Sequence, residues 1–216
     1  MFIQNSYRFG DSTVIPLGNI ISQYKYQNNV NDFVGSNNGT ATDITYAAGL
    51  VGQTGVFNGS TSSVDCGNAT DLQITSGTLS ALIKTGGAGS SYRAILLKSK
   101  AYGIFLKDNT LMSYSFKFGV DVNTNVNLAD NTWHHVGMTF NSGVNSGTKL
   151  FIDGVVRLTS RIDVLDQTLG LKISQNQNIQ HFNGNIDCAT VWDSILSEDE
   201  MLKLATEELA GTDINP

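Results

Sequence analysis

The stretch Trp133-His134-His135-Val136-Gly137-Met138-Thr139-Phe140, with Lys149-Leu150-Phe151-Ile152-Asp153-Gly154-Val155 after it, decides the fold. Val136, Met138 and Phe140 recur at every second position, the period of a strand with one face turned to a core. Trp133 opens that strand and is expected to fill the core. Asp153-Gly154 interrupts the next apolar run with two residues that adopt positive φ cheaply, so the chain turns back as a hairpin. Working outward, Lys107-Asp108-Asn109-Thr110 carries the same turn chemistry between expected strands 102–107 and 111–117. Further strands are expected at 22–27, 56–57, 61–66, 78–85, 92–98, 149–152, 155–158, 170–173 and 182–192. Tyr24 and Tyr26 share a face of the first. About a dozen short strands separated by polar turns define a sandwich, jelly roll or barrel.

One segment departs from this period. Ser197 is a helix cap and Glu200, three residues on, closes a capping box. Glu198, Asp199 and Glu200 complement the helix dipole. Met201, Leu204, Ala205 and Leu209 make one apolar stripe, and Gly211 stops the helix. The expectation is a single C-terminal helix lying on the sandwich.

Composition agrees. Only 15% of the 216 residues are charged and polarity rests on Asn, Ser, Thr and Gly, which suits strands joined by polar turns. The length fits one sizeable domain, here residues 20–216, preceded by an arm of residues 1–19 that breaks at Pro16 and Gly18. A net charge of −6 with no basic stripe argues against nucleic-acid binding. No apolar run approaches the roughly 20 residues of a membrane span. The first residues lack the basic and apolar regions of a signal peptide. Cys66 and Cys188 are too few for a disulfide scaffold and are expected to be buried, idle thiols.

Taken together and in order, three segments resemble the laminin-G-like, concanavalin A-like domains of the LamG and pentraxin type. They are 133–140 with 149–154; Phe182-Asn183-Gly184-Asn185-Ile186-Asp187-Cys188-Ala189-Thr190-Val191-Trp192; and Leu196-Ser197 with the helix. The segment 24–39 is similar to the first strand and loop of that family, and Val56-Phe57-Asn58-Gly59-Ser60 to its F-[DN]-G-S turn. The resemblance implies an all-β concanavalin A-like jelly-roll β-sandwich of two antiparallel sheets with one short C-terminal helix.

It also implies a calcium ion pinning the loop after the first strand to the last long strand. Calcium takes six to eight hard oxygen ligands. By resemblance, Asp32 and Asp187 supply carboxylates, and Gly35, Asn37 and Thr40 supply backbone or side-chain oxygens. The alternative is an Asx-rich loop in which Asp32 bonds backbone amides.

Enzymatic activity is not expected. Glycosidases on this fold need two flanking carboxylates, yet all four glutamates, Glu198, Glu200, Glu207 and Glu208, lie in the helix. His134 and His135 are adjacent, so on a strand they face opposite ways and cannot share a metal. What remains is binding. Glycan sites use aromatic faces and amide or carboxylate groups, and Tyr92, Tyr102 and Tyr114 are the candidate contacts, with the Asn-rich loops at 123–131 and 175–180.

The arm Asn5-Ser6-Tyr7-Arg8-Phe9-Gly10 is similar to the N-Tyr-Arg-Phe-Gly start of laminin-G-like domains in bacteriophage virion proteins. This implies a head decoration, head fibre or tail-associated protein, made in the host cytoplasm and located on the virion. Phe2, Ile3, Tyr7 and Phe9 would dock it to capsid or tail proteins, and the jelly roll would bind carbohydrate on host or environmental surfaces. The alternative is a purely structural decoration protein that binds no glycan. Either way an oligomer or array is expected, since weak contacts gain from multivalency.

Overall fold

The computed structural model describes residues 14–87, 92–113 and 123–214. Among them are fifteen strands, paired antiparallel throughout, and one α-helix. One sheet runs in the order β13 (Val155–Ser160), β12 (Thr148–Ile152), β11 (Trp133–Asn141), β6 (Ser76–Lys84), β15 (Asn183–Trp192), β4 (Gln53–Asn58) and β3 (Thr45–Ala48), with β1 (Ile20–Tyr24) also paired to β15. The other runs β10 (Asn123–Asn127), β9 (Thr110–Ser113), β8 (Tyr102–Lys107), β7 (Tyr92–Lys98), β14 (Leu171–Ile173), β5 (Ser63–Asp65) and β2 (Thr40–Thr42). This is the two-sheet architecture that the resemblance implied; the strand pattern alone leaves a barrel open.

The core lies between the sheets. Val136, Met138 and Phe140 are fully buried in it on one face of β11, as their spacing required, together with Leu79, Ala81 and Ile83 of β6. Val64, Ile104, Leu106, Leu171 and Ile173 come from the opposite sheet. The rings of Tyr102 and Phe140 stack across the interface, 5.1 Å between centroids. Removing such a ring costs about 3–5 kcal/mol. Trp133 departs from expectation. It is half-buried, packed with Val51, Leu82 and Cys188 in a small cluster outside the main core.

Both anticipated hairpins are present, with positive φ at Asp108 and Asn109 and at Asp153 and Gly154. At Gly154 a side chain would also collide with the backbone of Leu202, so glycine lets the turn meet the helix. Three short strands, β2, β3 and β10, were not anticipated. They are made mostly of Thr, Ala and Asn and bury little, so no hydrophobic alternation marks them. β10 occupies part of what composition suggested was an Asn-rich loop.

The helix α1 (Glu198–Leu209) carries the expected capping box: Ser197 Oγ accepts from the Glu200 amide and Glu200 Oε2 from the Ser197 amide. Met201 and Leu204 pack with Phe151, Trp192 and Leu196 on the outer side of the eight-stranded sheet. Ile15 and Ile20 join the same cluster, so the last residues of the arm rest on their own domain. Both cysteines are free and buried.

Candidate functional site

At one end of the seven-stranded sheet, β2, β5 and β14 lie side by side. Their inward residues, Val64, Leu171 and Ile173, belong to the core. Strand alternation therefore turns Thr40, Thr42, Ser63, Asp65 and Lys172 to the opposite face. The register places Thr40 and Lys172 on either side of Asp65, and Thr42 beside Ser63. These residues form the floor of a cavity of about 610 Å³.

The charges on the floor are paired. Lys172 Nζ lies 2.7 Å from Asp65 Oδ2, and Asp65 Oδ1 accepts from the Gly67 amide. Burial alone would raise the Asp65 carboxyl, but the bonds from Lys172 and Gly67 outweigh it and hold the group below the usual carboxylate range. Asp65 is therefore a fixed anion and acceptor rather than a proton donor.

Two loops make the walls. In the first, Asn58 Oδ1 accepts the amides of Ser60, Thr61 and Ser62, while Gly59 takes φ +75°. This presents Ser60 and Thr61 to the cavity. Ser62 donates from its hydroxyl to the Asp43 carbonyl, and Asp43 itself is at φ +49°. In the second, Asn176 and Ile179 bridge a tight turn with Gln177 and Asn178 at positive φ. Gln175 donates to Asn178 Oδ1. His181 Nδ1 lies 3.1 Å from the Ser62 carbonyl. A carbonyl only accepts, so Nδ1 carries a proton and donates, and Nε2 is the ring nitrogen left for the cavity. Ser174, Gln177, Asn178, Gln180 and Asp43 are all non-glycine residues at positive φ, a concentration of backbone strain around one site.

Every side chain lining this cavity is polar. Pockets for drug-like ligands are mostly apolar. A lining of hydroxyls, amides, carboxylates and one ammonium suits a ligand that is itself a dense array of hydroxyls.

The residues expected from sequence fare differently. Tyr92 is half-buried, its ring tilted against Phe105 at 5.8 Å with Lys107 Nζ 5.3 Å from its centre; it does not line the cavity. Tyr102 is corrected: it is fully buried, its hydroxyl donates to the Leu72 carbonyl, and it cannot stack on a ligand. Tyr114 and the arm residues Phe2, Ile3, Tyr7 and Phe9 lie outside the described residues. Sequence reading missed the cavity itself, apart from Thr40 and the 175–180 loop. The signal available was the outward positions of three short strands.

Most of the expected calcium ligands are engaged elsewhere. Asp32 accepts four backbone amides, from Gln23, Val34 and Gly35 on Oδ1 and from Asn37 on Oδ2. That is the Asx-loop alternative. The Asn37 carbonyl is taken by the Tyr24 hydroxyl, and its side-chain amide donates to Ser22 and Asp71. Thr40 lines the cavity on the other sheet. Asp187 is buried in β15, with Oδ1 accepting from Cys188 and Oδ2 unbonded, and burial pushes its carboxyl up to about 8. Among the described residues no three His, Cys, Asp or Glu side chains are grouped to hold an ion. Asp32 and Asn37 are thus engaged by the protein itself, and Thr40 faces the cavity of the other sheet, so these three do not fit a calcium site shared with Asp187.

His134 and His135 face opposite ways, as adjacent strand residues must. His134 contacts Asp153 and Asp130 near the surface, and His135 is fully buried.

Residues 58–201 match the family described as Concanavalin A-like lectin/glucanases superfamily, of laminin G type. The chain belongs to that family. Among solved structures it is similar to domain 4 of AbnA, an extracellular arabinanase from Geobacillus stearothermophilus, solved in complex with arabinotriose. The TM-score is 0.70 at 20% identity, over 86% of this chain and 98% of that one. The binding domain of Paraclostridial Mosquitocidal Protein 1 aligns with TM-score 0.70 at 18% identity, over 90% of this chain and 55% of that one. Trypanosoma rangeli sialidase in complex with sialic acid aligns with TM-score 0.70 at 13% identity, over 93% and 35%. The chain thus spans nearly all of the arabinanase domain, about half of the second protein and about a third of the third. At these identities the likeness is one of fold. No curated protein matches the sequence.

Proposed function

We propose that this domain is a non-enzymatic carbohydrate-binding module whose ligand lies in the cavity on the outer face of β2, β5 and β14. The observation that carries this is that every residue lining the cavity brings a polar group to it, with donors and acceptors held in place by the Asn58 and Ser62 networks. The family and the arabinotriose-bound arabinanase domain support it. A binding rather than a hydrolytic role is supported by the setting of the two carboxyl groups. A glycosidase needs one ionised and one protonated carboxyl flanking the bond. Asp65 is held ionised by Lys172 and Gly67, and Asp43 is solvent-exposed and lacks the enclosed apolar setting that a catalytic acid requires.

The resemblance of Asn5 to Gly10 to the arms of bacteriophage laminin-G-like proteins supports a place on a virion, with residues 1–13 docking to a capsid or tail protein. Arrayed copies would then turn weak single sites into useful avidity. The test of the site is a glycan array probed with the protein displayed multivalently, beside Lys172→Ala and Asp65→Ala. Selective binding lost in both variants is expected. A blank array would overturn the reading and leave a purely structural decoration protein. Deleting residues 1–13, which spares Ile15 in its cluster, should abolish incorporation into particles; normal incorporation would refute the docking role.

A further inference from the structure

Resting on that reading, we infer that the cavity selects uncharged sugars and rejects acidic ones such as sialic or uronic acids. The argument is the balance of charge around the floor. Asp43 and Asp65 contribute two carboxylates. The one cation among the lining residues, Lys172, is already 2.7 Å from Asp65 Oδ2. Among the described residues the Asp43 side chain has no bonded partner, so its charge stands unopposed at the rim. An incoming carboxylate that took a remaining Lys172 N–H would lie close to the Asp65 carboxylate, which already shares that ammonium, and elsewhere on the rim it would lie beside Asp43. Lys172 has one charge to set against two carboxylates before the ligand adds a third.

Hydroxyls meet no such conflict, since each both donates and accepts. The carboxylates of Asp43 and Asp65 accept, while Lys172 and the Ser and Thr hydroxyls donate. Lys172 and Asp65 stand a hydrogen bond apart on neighbouring strands, so one donor and one acceptor are presented side by side to adjacent hydroxyls. An acidic group offers acceptors alone. Among the described residues no Phe, Trp or Tyr lines the cavity, so discrimination falls to these polar groups.

The test uses matched pairs differing in charge: galactotriose against trigalacturonate, and lactose against 3′-sialyllactose. Binding to the multivalent protein is measured at low and at high sodium chloride. The neutral member of each pair is expected to bind at least tenfold tighter, with little dependence on salt. Asp43→Asn, which retains a side chain suited to positive φ, should narrow the gap about threefold or more, as expected for one charge removed from a solvent-facing site. Tighter binding of the acidic member, or affinity that falls steeply with salt, would overturn the selectivity while leaving carbohydrate binding intact. A gap unmoved by Asp43→Asn would also count against it. No binding to any member of either pair, together with a blank array, would instead remove the carbohydrate reading itself.

Discussion

Glu208 Oε2 on α1 lies 3.6 Å from His135 Nε2 on β11, and among the described residues neither side chain has a hydrogen-bond partner although both are shut away from water. The distance is too long for a hydrogen bond. Burial lowers the His135 imidazole to about 4, so it is neutral at pH 7. Burial, with the nearby charges of Asp187 and Asp213, raises Glu208 well above the ordinary carboxyl range against the opposing pull of Lys25. The helix is therefore seated on the sheet through a neutral acid and a neutral imidazole rather than an ion pair.

A pH dependence follows. A raised carboxyl keeps its proton in the native state while the unfolded chain has lost it, so stability falls as pH climbs above about 4.5 toward the raised value. His135 acts in the other direction: stability is lost as pH falls from about 6.5 toward about 4. Glu208→Gln keeps the shape and cannot ionise. It should leave the melting temperature nearly unchanged at pH 5 and raise it at pH 9 by about 2–4 °C or more, the equivalent of about 1 kcal/mol. Calorimetry at both pH values checks this, and equal shifts at the two would refute it.

The buried acid also marks where sequence reading stopped. Periodicity identified Met201, Leu204 and Ala205 as the inward stripe and Ser197 as the cap, because those signals are local to one helix. Glu208 shares their face, yet a glutamate in a helix ending Glu207-Glu208-Leu209 reads as solvated surface. Only the tertiary contact with His135 shows otherwise. The same holds for the cavity. Strands 61–66 and 170–173 were expected, but β2 was not, and the juxtaposition of β2, β5 and β14 comes from the sheet order. Tyr102 failed for the reverse reason. Its ring fits either a sugar or a core, and the stacking partner Phe140 lies on another strand.

The helix cap offers a contained test of local energetics. Ser197→Ala removes the acceptor for the Glu200 amide and half of the reciprocal box. It should cost about 1 kcal/mol, read as a drop of roughly 2–4 °C in melting temperature, with glycan binding unchanged. A loss of binding would mean that α1 and the cavity are coupled.

Asp32 separates loop organisation from metal binding. Four amides lose their acceptor in Asp32→Ala, and Asp32 is nearly buried, so a loss of about 3 kcal/mol or more is expected. Because the carboxylate is engaged by backbone, that loss should be the same in calcium and in chelator, as should the melting temperature of the unaltered protein. A wild-type midpoint that rises with calcium and no longer does so in Asp32→Ala would assign the carboxylate to an ion instead.

Lys172 and Asp65 should dissociate stability from binding. Asp65 is about half exposed and Lys172 a quarter exposed, so their ion pair is screened and contributes on the order of 0–1 kcal/mol to folding. Lys172→Ala and Asp65→Ala are therefore expected to melt close to the unaltered protein. Binding is a different balance, because a seated sugar excludes water and leaves each missing hydrogen bond unreplaced. A hydrogen bond to a charged group is worth about 1.5–3 kcal/mol, so each variant should weaken glycan binding about tenfold or more. The double variant should lose less than the product of the two, since the residue left behind in either single variant has already lost its partner and its orientation. Titration of all four proteins against one glycan gives the coupling. Strictly multiplicative losses would mean that the two side chains contact the sugar independently, and unchanged affinity in all three variants would move the binding site away from this face of the sheet.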